Sequence, residues 1–495
     1  MCAALSSQLS LPDTFEVQYL EYNRIFPLEL TETHVRIAVA GEPDPDVLAD
    51  LSREFGRAVE VVPVSEEELA DRIRRAYAAA ESMVEVVNDL RANDGFASED
   101  RELADARDLA TQPPVVKYVN LLIKEAHDAR ASDVHLESTP QGLRARFRVD
   151  GVLADALAPP PQAQAAIVSR VKLLAELDIA ERRAPQDGSF RIRLESRELD
   201  IRVSTVPTLY GESVVLRLLD RGGQPVGLEE LGMAPATLEQ FRRIIARPTG
   251  IVIAAGPTGS GKTTTLYSAL AMRDTTAEKV ITVEDPVEYH LSGVTQIPVN
   301  RKAGMTFASA LRSVLRQDPD VMMVGEMRDP ETAEVAVQAA MTGHLVFSTL
   351  HTNDAPSAVT RLLDLEVAPY QIAATINGVL AQRLVRRVCP HCRERYRPDP
   401  QVVSFVSSEP EGRRQLVRGR GCETCRGTGY LGRIGIFELF VVTENLNRAI
   451  SAREPLARLR ELAENEGMQT MRRDGWVKVQ GEITTVEEVL RVTVH

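Results

Sequence analysis

The sequence contains no long hydrophobic run. Across its 495 residues, no stretch of about 18 consecutive apolar residues is present, which excludes a standard membrane-spanning helix. The N-terminal segment carries Glu16 and Glu21 and lacks the basic cluster followed by an apolar segment that is typical of a signal peptide. We therefore expect a soluble, intracellular protein.

Cysteine is also scarce. Of only five cysteines, four form two Cys-x-x-Cys pairs, Cys389 with Cys392 and Cys422 with Cys425, and Cys2 is left over. In a reduced compartment this grouping favours metal ligation over a disulfide framework. Four thiolates with no open position predict a structural zinc site. Unligated thiols are the alternative, and the presence of two pairs disfavours a redox role.

Basic residues are few in the first part of the chain. Residues 1–110 hold 24 acidic and 10 basic side chains, whereas residues 111–495 are nearly neutral, within a total net charge of -13. This distribution argues against wrapping nucleic acid and favours protein contacts. One exception is the arginine-rich stretch, residues 383–433, whose 12 arginines could meet anionic lipid or an acidic partner.

The length predicts roughly three or four domains, and the sequence has no internal repeat. We expect an N-terminal domain, a charged linker, a second N-terminal domain, the core of a larger third domain, a tetracysteine element and a C-terminal helical part of that third domain. These predicted units span residues 1–90, 91–112, 113–222, 223–388, 389–433 and 434–495, respectively.

Apolar patterns predict the type of each domain. The first segment indicates a small α/β domain, because short apolar runs such as 35–39 precede a polar helical stretch at 65–90. The second domain should be α+β, with a helix from Val115 and strands at 143–149, 190–194, 199–203 and 214–218. After a glycine-rich break at 221–223, helices alternate with strands of a buried parallel sheet at 251–255, 280–283, 321–324 and 345–348.

A phosphate-binding loop follows the first strand of that parallel sheet. Its pattern is complete and is made of Gly256, Pro257, Thr258, Gly259, Ser260, Gly261, Lys262 and Thr263, with Thr264 next to it. Glycines let backbone N–H groups point at phosphates, and the following helix N-terminus adds partial positive charge. Lys262 should reach the β- and γ-phosphates of ATP, and Thr263 should hold Mg²⁺.

Acidic side chains end two further strands of the sheet. Glu326 follows the strand at 321–324, with Gly325 where many such ATPases place a magnesium-binding Asp, so Glu326 is the predicted base that orients water. Glu284 and Glu288 end the strand at 280–283 and are predicted to position Mg²⁺ or water. Solvated strand-end charges are the alternative for this second pair.

Two histidines bracket the strand at 345–348. Such histidines are more often satisfied structural groups than catalysts. Because this strand should lie beside the nucleotide strands, we predict that His344 senses the γ-phosphate, and we favour it over His351.

Together these segments resemble the secretion and pilus-assembly ATPase family. In that family a phosphate loop is followed by an acidic box, a strand ending in Gly-Glu and a histidine box, and all four occur here in that order. The most distinctive strings are those at 316–320, 325–333 and 348–353. The resemblance covers residues 110–490. It implies a RecA-like P-loop ATPase domain, preceded by an α+β, PAS-like regulatory domain and a small N-terminal α/β domain.

The resemblance also implies roles for four arginines. In the family, arginines of the regulatory domain close over the γ-phosphate, and the matching residues here are Arg202 and Arg217. Arginine suits this role because its planar fork pairs with phosphate oxygens. Arg312 and Arg316 match arginines of the ATPase domain. Ser189 and Ser213 stand where the family commonly has further arginines.

The tetracysteine element indicates a branch of the family. Type II secretion and type IV pilus extension motors carry it, and the string at 20–28 looks more like the secretion branch. The resemblance therefore implies a cytoplasmic motor, recruited to the inner face of the inner membrane, whose ATP hydrolysis drives pseudopilus assembly and protein export.

The resemblance further implies a homohexamer. Its partners would be the cytoplasmic domain of an inner-membrane secretion protein, reached through the N-terminal domain, an inner-membrane platform protein and anionic lipid, with no nucleic acid. A pilus extension ATPase is the alternative within the family. A zinc-containing motor that translocates nucleic acid is the alternative from another class, since helicases share the phosphate loop.

Overall fold

The protein is seen in a computed structural model, which describes residues 20, 22–30, 34–41, 45–66, 68–69, 83–92, 103–194, 197–220, 225–399 and 415–493. Cys2, the break at 221–223 and the arginines at 413 and 414 lie outside these residues, as do parts of the predicted helical stretch at 65–90 and of the charged linker. In the described part of the chain, no helix is both long and apolar enough to span a lipid bilayer.

The strands and helices are numbered in chain order. Strands β1 to β18 span Ile25–Leu30, His34–Val39, Ala58–Pro63, Ala131–Thr139, Gly142–Val149, Val152–Asp155, Gln186–Leu194, Arg197–Thr208, Gly211–Asp220, Gly250–Ala255, Val280–Glu284, Thr295–Pro298, Val321–Val324, Leu345–Leu350, Ile376–Val388, Arg393–Tyr396, Leu416–Gly419 and Tyr430–Val441. Helices α1 to α15 span Pro45–Phe55, Met83–Ala92, Leu103–Thr111, Pro113–Asp128, Gln164–Leu174, Pro235–Ile245, Lys262–Leu270, Phe307–Val314, Pro330–Met341, Ser357–Asp364, Pro369–Thr375, Glu444–Ser451, Leu456–Asn465, Met471–Gln480 and Val486–Thr493.

The first sheet has three strands in the order β1-β2-β3. β1 pairs antiparallel with β2, and β2 pairs parallel with β3. A parallel pair needs a crossover connection, which α1 supplies between β2 and β3. Val35, Ile37 and Leu51 are buried between the sheet and the helix, as their apolar character requires. This segment is α/β.

The second sheet has six antiparallel strands in the order β6-β5-β4-β9-β8-β7. Its strands alternate buried and half-exposed residues, as in β5, because one face packs on α4 and α5 and the other does not. α4 begins with Pro113 and Pro114 in its first turn, where the missing N–H groups cost nothing. Its apolar stripe then runs from Val115 to Ala126 against the sheet.

The third sheet has seven strands in the order β12-β11-β13-β14-β10-β15-β18. All neighbours are parallel except β15 and β18. Residues of β10 alternate between two apolar clusters on opposite faces: Ile251 and Ile253 belong to one, Val252 and Ala254 to the other. Helices therefore cover both faces, and the carboxyl ends of the parallel strands meet at one edge of the sheet.

The antiparallel hairpin of β15 and β18 was not predicted from the sequence. β15 is 13 residues long: its first part, from Ile376 to Ala381, pairs parallel with β10, and its residues from Gly378 to Val388 pair antiparallel with β18. A two-stranded sheet, β16-β17, and the tetracysteine element lie between the two strands in sequence. The C-terminal helices pack against this hairpin, so one strand links the nucleotide edge of the sheet to the cysteines.

Candidate active site

The phosphate loop follows β10, all six residues of which are buried. Gly256 has a φ of +151°, and a Cβ there would lie 2.5 Å from Ser260 Oγ and 2.7 Å from the carbonyl of Gln382. Gly261, with a φ of +88°, is the residue from which α7 begins. Glycine is therefore required twice, once by close packing and once by a left-handed turn. The loop and the helix N-terminus together form an anion-binding site.

Lys262 lies across the loop that it follows. Its Nζ donates to the carbonyls of Gly256 at 2.7 Å and Pro257 at 2.9 Å. Burial lowers the pKa of Lys262 to about 8; the charge of Glu326 opposes this shift, and that of Arg383 adds to it. The hydrogen-bond acceptors of the Lys262 ammonium group here are neutral carbonyl oxygens. A bound phosphate would add negatively charged acceptors to it.

Glu326 stands at the carboxyl end of β13, beside the phosphate loop. Its side chain is 13% exposed and forms an ion pair with Arg328, and Nε2 of His351 lies 3.6 Å from its Oε2. Thr349 donates to the carbonyl of Gly325 at 2.7 Å, which fixes the end of β13 against β14. A carboxylate so held can orient and polarise a water molecule.

His351, which the sequence analysis ranked second, is the histidine at this edge. Burial and the neighbouring charge of Lys262 lower its pKa, although Glu326 acts in the opposite direction. A neutral imidazole results near pH 7. His351 thus has both a charged lysine and a charged glutamate as neighbours.

His344 lies at the other edge of the sheet. It precedes β14, its Nδ1 is 2.9 Å from the carbonyl of Ala339, and its own carbonyl accepts from Gly250 at the start of β10. Since β10 and β14 run parallel, the phosphate loop is a whole strand length away. The prediction that His344 senses the γ-phosphate therefore fails on geometry, because strand direction places His351 at the phosphate edge instead.

Glu284 points into the protein interior. Only 3% exposed, it accepts hydrogen bonds from Thr282, Gln296 and the hydroxyl of Tyr267 on α7. Burial raises the pKa of Tyr267, and the hydrogen bond to Glu284 raises it further. Three donors thus hold this carboxylate, which ties α7 to β11.

Glu288 faces the six-stranded sheet. Burial raises its pKa, and the charges of Arg202 and Arg217 oppose that rise. Arg202 also donates to the carbonyl of Val287 at 3.4 Å. The two arginines lie opposite each other on β8 and β9, so the pair predicted from the family resemblance meets the ATPase sheet at the segment after β11.

This arginine pair belongs to a row that crosses the second sheet. Asp133 on β4 pairs with Arg217, and Ser189 on β7 pairs with Arg202. Ser189 therefore occupies the end of this row and contributes no charge there.

The structure does not bring Arg312 and Arg316 to the phosphate loop of their own chain. Arg312 forms an ion pair of 2.6 Å with Glu331, and Arg316 donates to the carbonyl of Arg312. Both are exposed at or just beyond the end of α8. Both side chains therefore face solvent in this structure.

The four paired cysteines converge. Their sulfur atoms all lie within 4.8 Å of one another, with Cys389–Cys422 at 3.9 Å, Cys392–Cys425 at 3.8 Å and Cys422–Cys425 at 3.7 Å. Tetrahedral zinc with ligands at about 2.3 Å requires sulfur separations of roughly 3.8 Å. Burial raises the pKa of Cys425, but backbone N–H groups of Cys422 and Gly429 prevail and lower it to about 6. The donor set fits a zinc ion.

The arginine-rich stretch is not an uncompensated cationic surface. Arg386 pairs with Glu488 at 2.7 Å, Arg418 with Glu394 at 2.8 Å, and Arg433 with Asp150 at 3.4 Å. Arg383 is 4% exposed. Six further arginines among the described residues are exposed, namely 387, 393, 395, 397, 420 and 426, and Arg395 pairs with Glu482 at 3.0 Å. Much of the positive charge that the sequence analysis assigned to a partner is therefore neutralised by ion pairs within the chain.

Sequence reasoning missed Arg328 and gave no site role to Gln382 and Arg383. Gln382 donates to the carbonyl of Ser260 at 2.8 Å, and Arg383 donates to the carbonyl of Asn353 at 3.0 Å. Two adjacent polar residues between the apolar runs 379–381 and 384–385 were the available signal, since such groups are buried only with partners.

Fold and site together define the class of the protein: it is an α/β P-loop ATPase with an added tetracysteine centre. A family profile described as Type II/IV secretion system protein matches residues 108–491, and one described as MshEN domain matches residues 3–83. The chain belongs to the Type II/IV secretion system protein family.

Similar proteins include members of two branches. Type II secretion system protein E of Xanthomonas campestris pv. campestris is 48% identical over 429 residues, which cover 86% of this chain and 75% of that protein. The type IV pilus assembly ATPase PilB of Thermus thermophilus is 47% identical over 382 residues, covering 77% of this chain and 43% of PilB. The solved structure of the pilus retraction motor PilT with bound ADP is 26% identical, with a TM-score of 0.52, and covers 76% of this chain and 96% of that one.

Proposed function

We propose that this chain is the ATP-hydrolysing motor of a bacterial type II secretion system, driving pseudopilus assembly and protein export. The observation that carries the proposal is the convergence of Lys262, Glu326 and His351 at one edge of the sheet. That edge is where an α/β sheet holds its ligand. The identity with type II secretion proteins over most of the chain supports the biological setting.

Within the site, each residue has a separate duty. The main chain of residues 256–261 and Lys262 bind the phosphates of ATP, with Ser260 and Thr264 flanking them. Thr263, half-buried in the first turn of α7, would hold Mg²⁺, whose charge offsets that of the β- and γ-phosphates when it is bound. Glu326 orients the attacking water, and His351 contacts the γ-phosphate.

Glu284 acts indirectly in this proposal. Because Tyr267, Thr282 and Gln296 already hold its carboxylate, it positions α7 rather than binding Mg²⁺. Glu288 receives the arginines of the second sheet, whose PAS-like fold would form the mobile half of the nucleotide cleft. Closure moves Arg202 and Arg217 onto the γ-phosphate, where they neutralise charge in the transition state.

Assembly completes the site. We place six copies in a ring, with Arg312 and Arg316 of one subunit facing the nucleotide of its neighbour, since both side chains are exposed and contact Glu331 and the carbonyl of Arg312 in their own chain. Closure and reopening of the cleft then couple the hydrolysis of each ATP to a rotation of one domain against the other.

Zinc would be a structural cofactor, held by Cys389, Cys392, Cys422 and Cys425. Its fit rests on the sulfur separations and on the N–H groups that favour thiolate at Cys425. With all four positions filled by protein, such an ion has no open site for substrate. It would stabilise the tip of the β15–β18 hairpin.

Two parts of the chain would contact partners at the membrane. The N-terminal segment, matched by the MshEN profile, would dock onto the cytoplasmic domain of an inner-membrane secretion protein. This would recruit the motor from the cytoplasm to the inner face of the inner membrane, near a platform protein. Exposed arginines of the arginine-rich stretch, among them 387, 397, 420 and 426, would contact anionic lipid there.

Pilus extension is the second candidate, and the identity with the Thermus assembly ATPase favours it. Both candidates predict the same chemistry but different membrane partners. Affinity purification from native membranes separates them, since one predicts a secretion-system protein and the other a pilus-system protein.

The experiment that tests the function is ATP turnover of the purified full chain in three conditions. The protein alone, the protein with the partner's cytoplasmic domain and vesicles containing phosphatidylglycerol, and the protein with double-stranded DNA are compared. We expect low basal turnover that partner and vesicles raise. Stimulation by DNA alone would overturn the proposal in favour of a nucleic-acid motor.

A further inference from the structure

We propose that Gln382 and Arg383, neighbours on β15, are two positioning residues with separate duties. Gln382 fixes the phosphate loop, and Arg383 fixes residues 351–354, which present His351 to Glu326. The inference rests on the proposed function in one respect, namely that Glu326 and His351 act on ATP.

Gln382 holds the phosphate loop from the side of β15. In the parallel register Ala381 lies beside Ala255, so Gln382 is level with Gly256. Its Nε2 donates to the carbonyl of Ser260 at 2.8 Å. Its backbone carbonyl lies so close to Gly256 that a Cβ at position 256 would be 2.7 Å from it, so only glycine fits there. β15 therefore supports the phosphate loop through one side-chain hydrogen bond and one close backbone approach.

Arg383 points to the opposite face, because successive residues of a strand alternate. Its Nη2 donates to the carbonyl of Asn353 at 3.0 Å and lies 3.3 Å from Asn353 Oδ1, while Nη1 donates to the carbonyl of Gln382 at 3.1 Å. The residue is 4% exposed. An arginine keeps its charge when buried, so it persists there only with such partners.

The charges around Arg383 fit a holding role. Asp354 and Glu438 stabilise its positive charge, whereas Lys262 has like charge. Asp354 is itself anchored by Arg460 at 2.6 Å, and Glu438 accepts from the backbone N–H of Ala355 at 2.9 Å. Side chains on β15, β18 and α13 therefore hold the end of the segment 351–354 in place.

The beginning of the same segment is held by the sheet. Leu350 is the last residue of β14, and its carbonyl accepts from Gly256 at 3.1 Å. Between these anchors lie His351 and Thr352, so the placement of His351 depends on where Asn353 is held. Arg383 therefore acts through His351 and needs no contact with ATP.

Two kinetic signatures separate the two duties. Gln382→Met keeps the side-chain volume but removes the donor to Ser260, so we expect KM for ATP to rise at least about fivefold with a smaller change in kcat, as for lost uniform binding. Arg383→Lys keeps the charge but loses the fork, so we expect kcat to fall at least about tenfold with KM changed by less than about twofold. Arg243→Lys, at an exposed position on α6 where the arginine forms an ion pair of 3.1 Å with Glu239 of the same helix, is the matched control.

A double-mutant cycle tests whether Arg383 works through His351. Turnover is measured for His351→Ala, Arg383→Lys and the double variant, with the thermal midpoint recorded for each. We expect the double variant to be no slower than His351→Ala alone, because a residue that positions an absent group has nothing left to contribute. Losses that multiply, or Arg383→Lys turning over like the wild type, would overturn the inference.

The failure of this inference is distinguishable from failure of the proposed function. Glu326→Gln is measured beside the cycle. If that variant hydrolyses ATP at the wild-type rate, the role given to Glu326 is lost, whatever the cycle shows. If it is inactive while the cycle is multiplicative, the motor proposal stands and the positioning role of Arg383 falls.

Discussion

Arg217 donates a hydrogen bond of 3.0 Å from Nε to Asp133 on the neighbouring strand of the six-stranded sheet. The aspartate is nearly buried and the arginine is 56% exposed. The bond uses one of the five N–H donors of the guanidinium group and fixes its orientation, so the remaining donors are presented to the ATPase sheet. Because the guanidinium group is already oriented, little free energy would be needed to order it when it contacts a phosphate.

Removing that charge should slow hydrolysis without unfolding the protein. We expect Arg217→Ala to lower kcat at least about tenfold, since an arginine that stabilises phosphoryl transfer is worth more than that. The thermal midpoint should shift little, because the arginine is largely exposed and Asp133 keeps its hydrogen bond from the hydroxyl of Ser132 when the arginine is removed. Steady-state ATPase assays and thermal unfolding check both points.

A matched control for this variant is Arg144→Ala. Arg144 forms an exposed ion pair of 2.9 Å with Asp155 at the outer edge of the same sheet. Equal losses of kcat in Arg144→Ala and Arg217→Ala would refute the phosphate role of Arg217, since only general damage to the sheet would explain them.

The two histidines around β14 should differ in their effect on catalysis. We expect His351→Ala to reduce kcat at least about tenfold, because its imidazole lies 3.6 Å from Glu326. His344→Ala should leave kcat within about twofold of the wild type, since its ring contacts the carbonyl of Ala339 at the far edge. The reverse ranking in the same ATPase assay would restore His344 as the γ-phosphate sensor.

The binding of nucleotide should weaken with rising pH as Lys262 loses its proton. Burial lowers the pKa of Lys262 to about 8, and a bound phosphate would raise it again, so binding takes up a proton above that pH. We expect the affinity for a non-hydrolysable ATP analogue to be flat below about pH 8 and to fall roughly tenfold per pH unit above it. Titration calorimetry from pH 7 to 9.5 in buffers of different ionisation enthalpy measures both quantities.

Glu326→Gln provides the partner experiment for this titration. The charge of Glu326 raises the pKa of Lys262, so its removal should move the break in affinity to lower pH. A break that stays in place, or moves upward, would contradict the electrostatic coupling of these two groups.

Loss of one cysteine should remove the metal and destabilise the hairpin tip. We expect one zinc per chain by elemental analysis in the wild type and a substoichiometric amount in Cys425→Ser, since a structural site needs its four ligands. The thermal midpoint should fall by at least about 5 °C, because the binding free energy of such an ion contributes to folding. Cys2→Ser, which removes the cysteine outside both pairs, is the control and should retain zinc.

Much of the ATPase sheet could be predicted from its apolar runs. The strands expected at 251–255, 280–283, 321–324 and 345–348 are present as β10, β11, β13 and β14, because a buried parallel strand is apolar on both faces and leaves a continuous signal. The strands expected in the second sheet are likewise present as β5, β7, β8 and β9.

The β15–β18 hairpin was missed for a physical reason. Asn377, Gln382 and Arg383 interrupt the apolar pattern of β15, yet all three are buried. Each has a partner far away in sequence, such as Ser260 for Gln382, and single-sequence periodicity cannot anticipate a partner of that kind. The same limit hid the roles of these residues at the site.

The choice between His344 and His351 depended on strand direction. Both flank one strand, so sequence spacing treats them alike. The parallel register of β10 and β14 places one at the phosphate edge and the other a strand length away. Glu326 was easier to predict, because it follows a short buried strand at its carboxyl end, where α/β sheets place their chemistry.

The most direct test of the account is single-turnover ATP hydrolysis by Glu326→Gln beside the wild type, with binding of ATP measured on the same samples. We predict that the variant binds ATP with an affinity within a few-fold of the wild type, because the phosphate loop is intact, and that hydrolysis falls at least about a hundredfold. Hydrolysis at the wild-type rate by a variant that binds ATP normally would contradict the assignment of Glu326 as the residue that activates water.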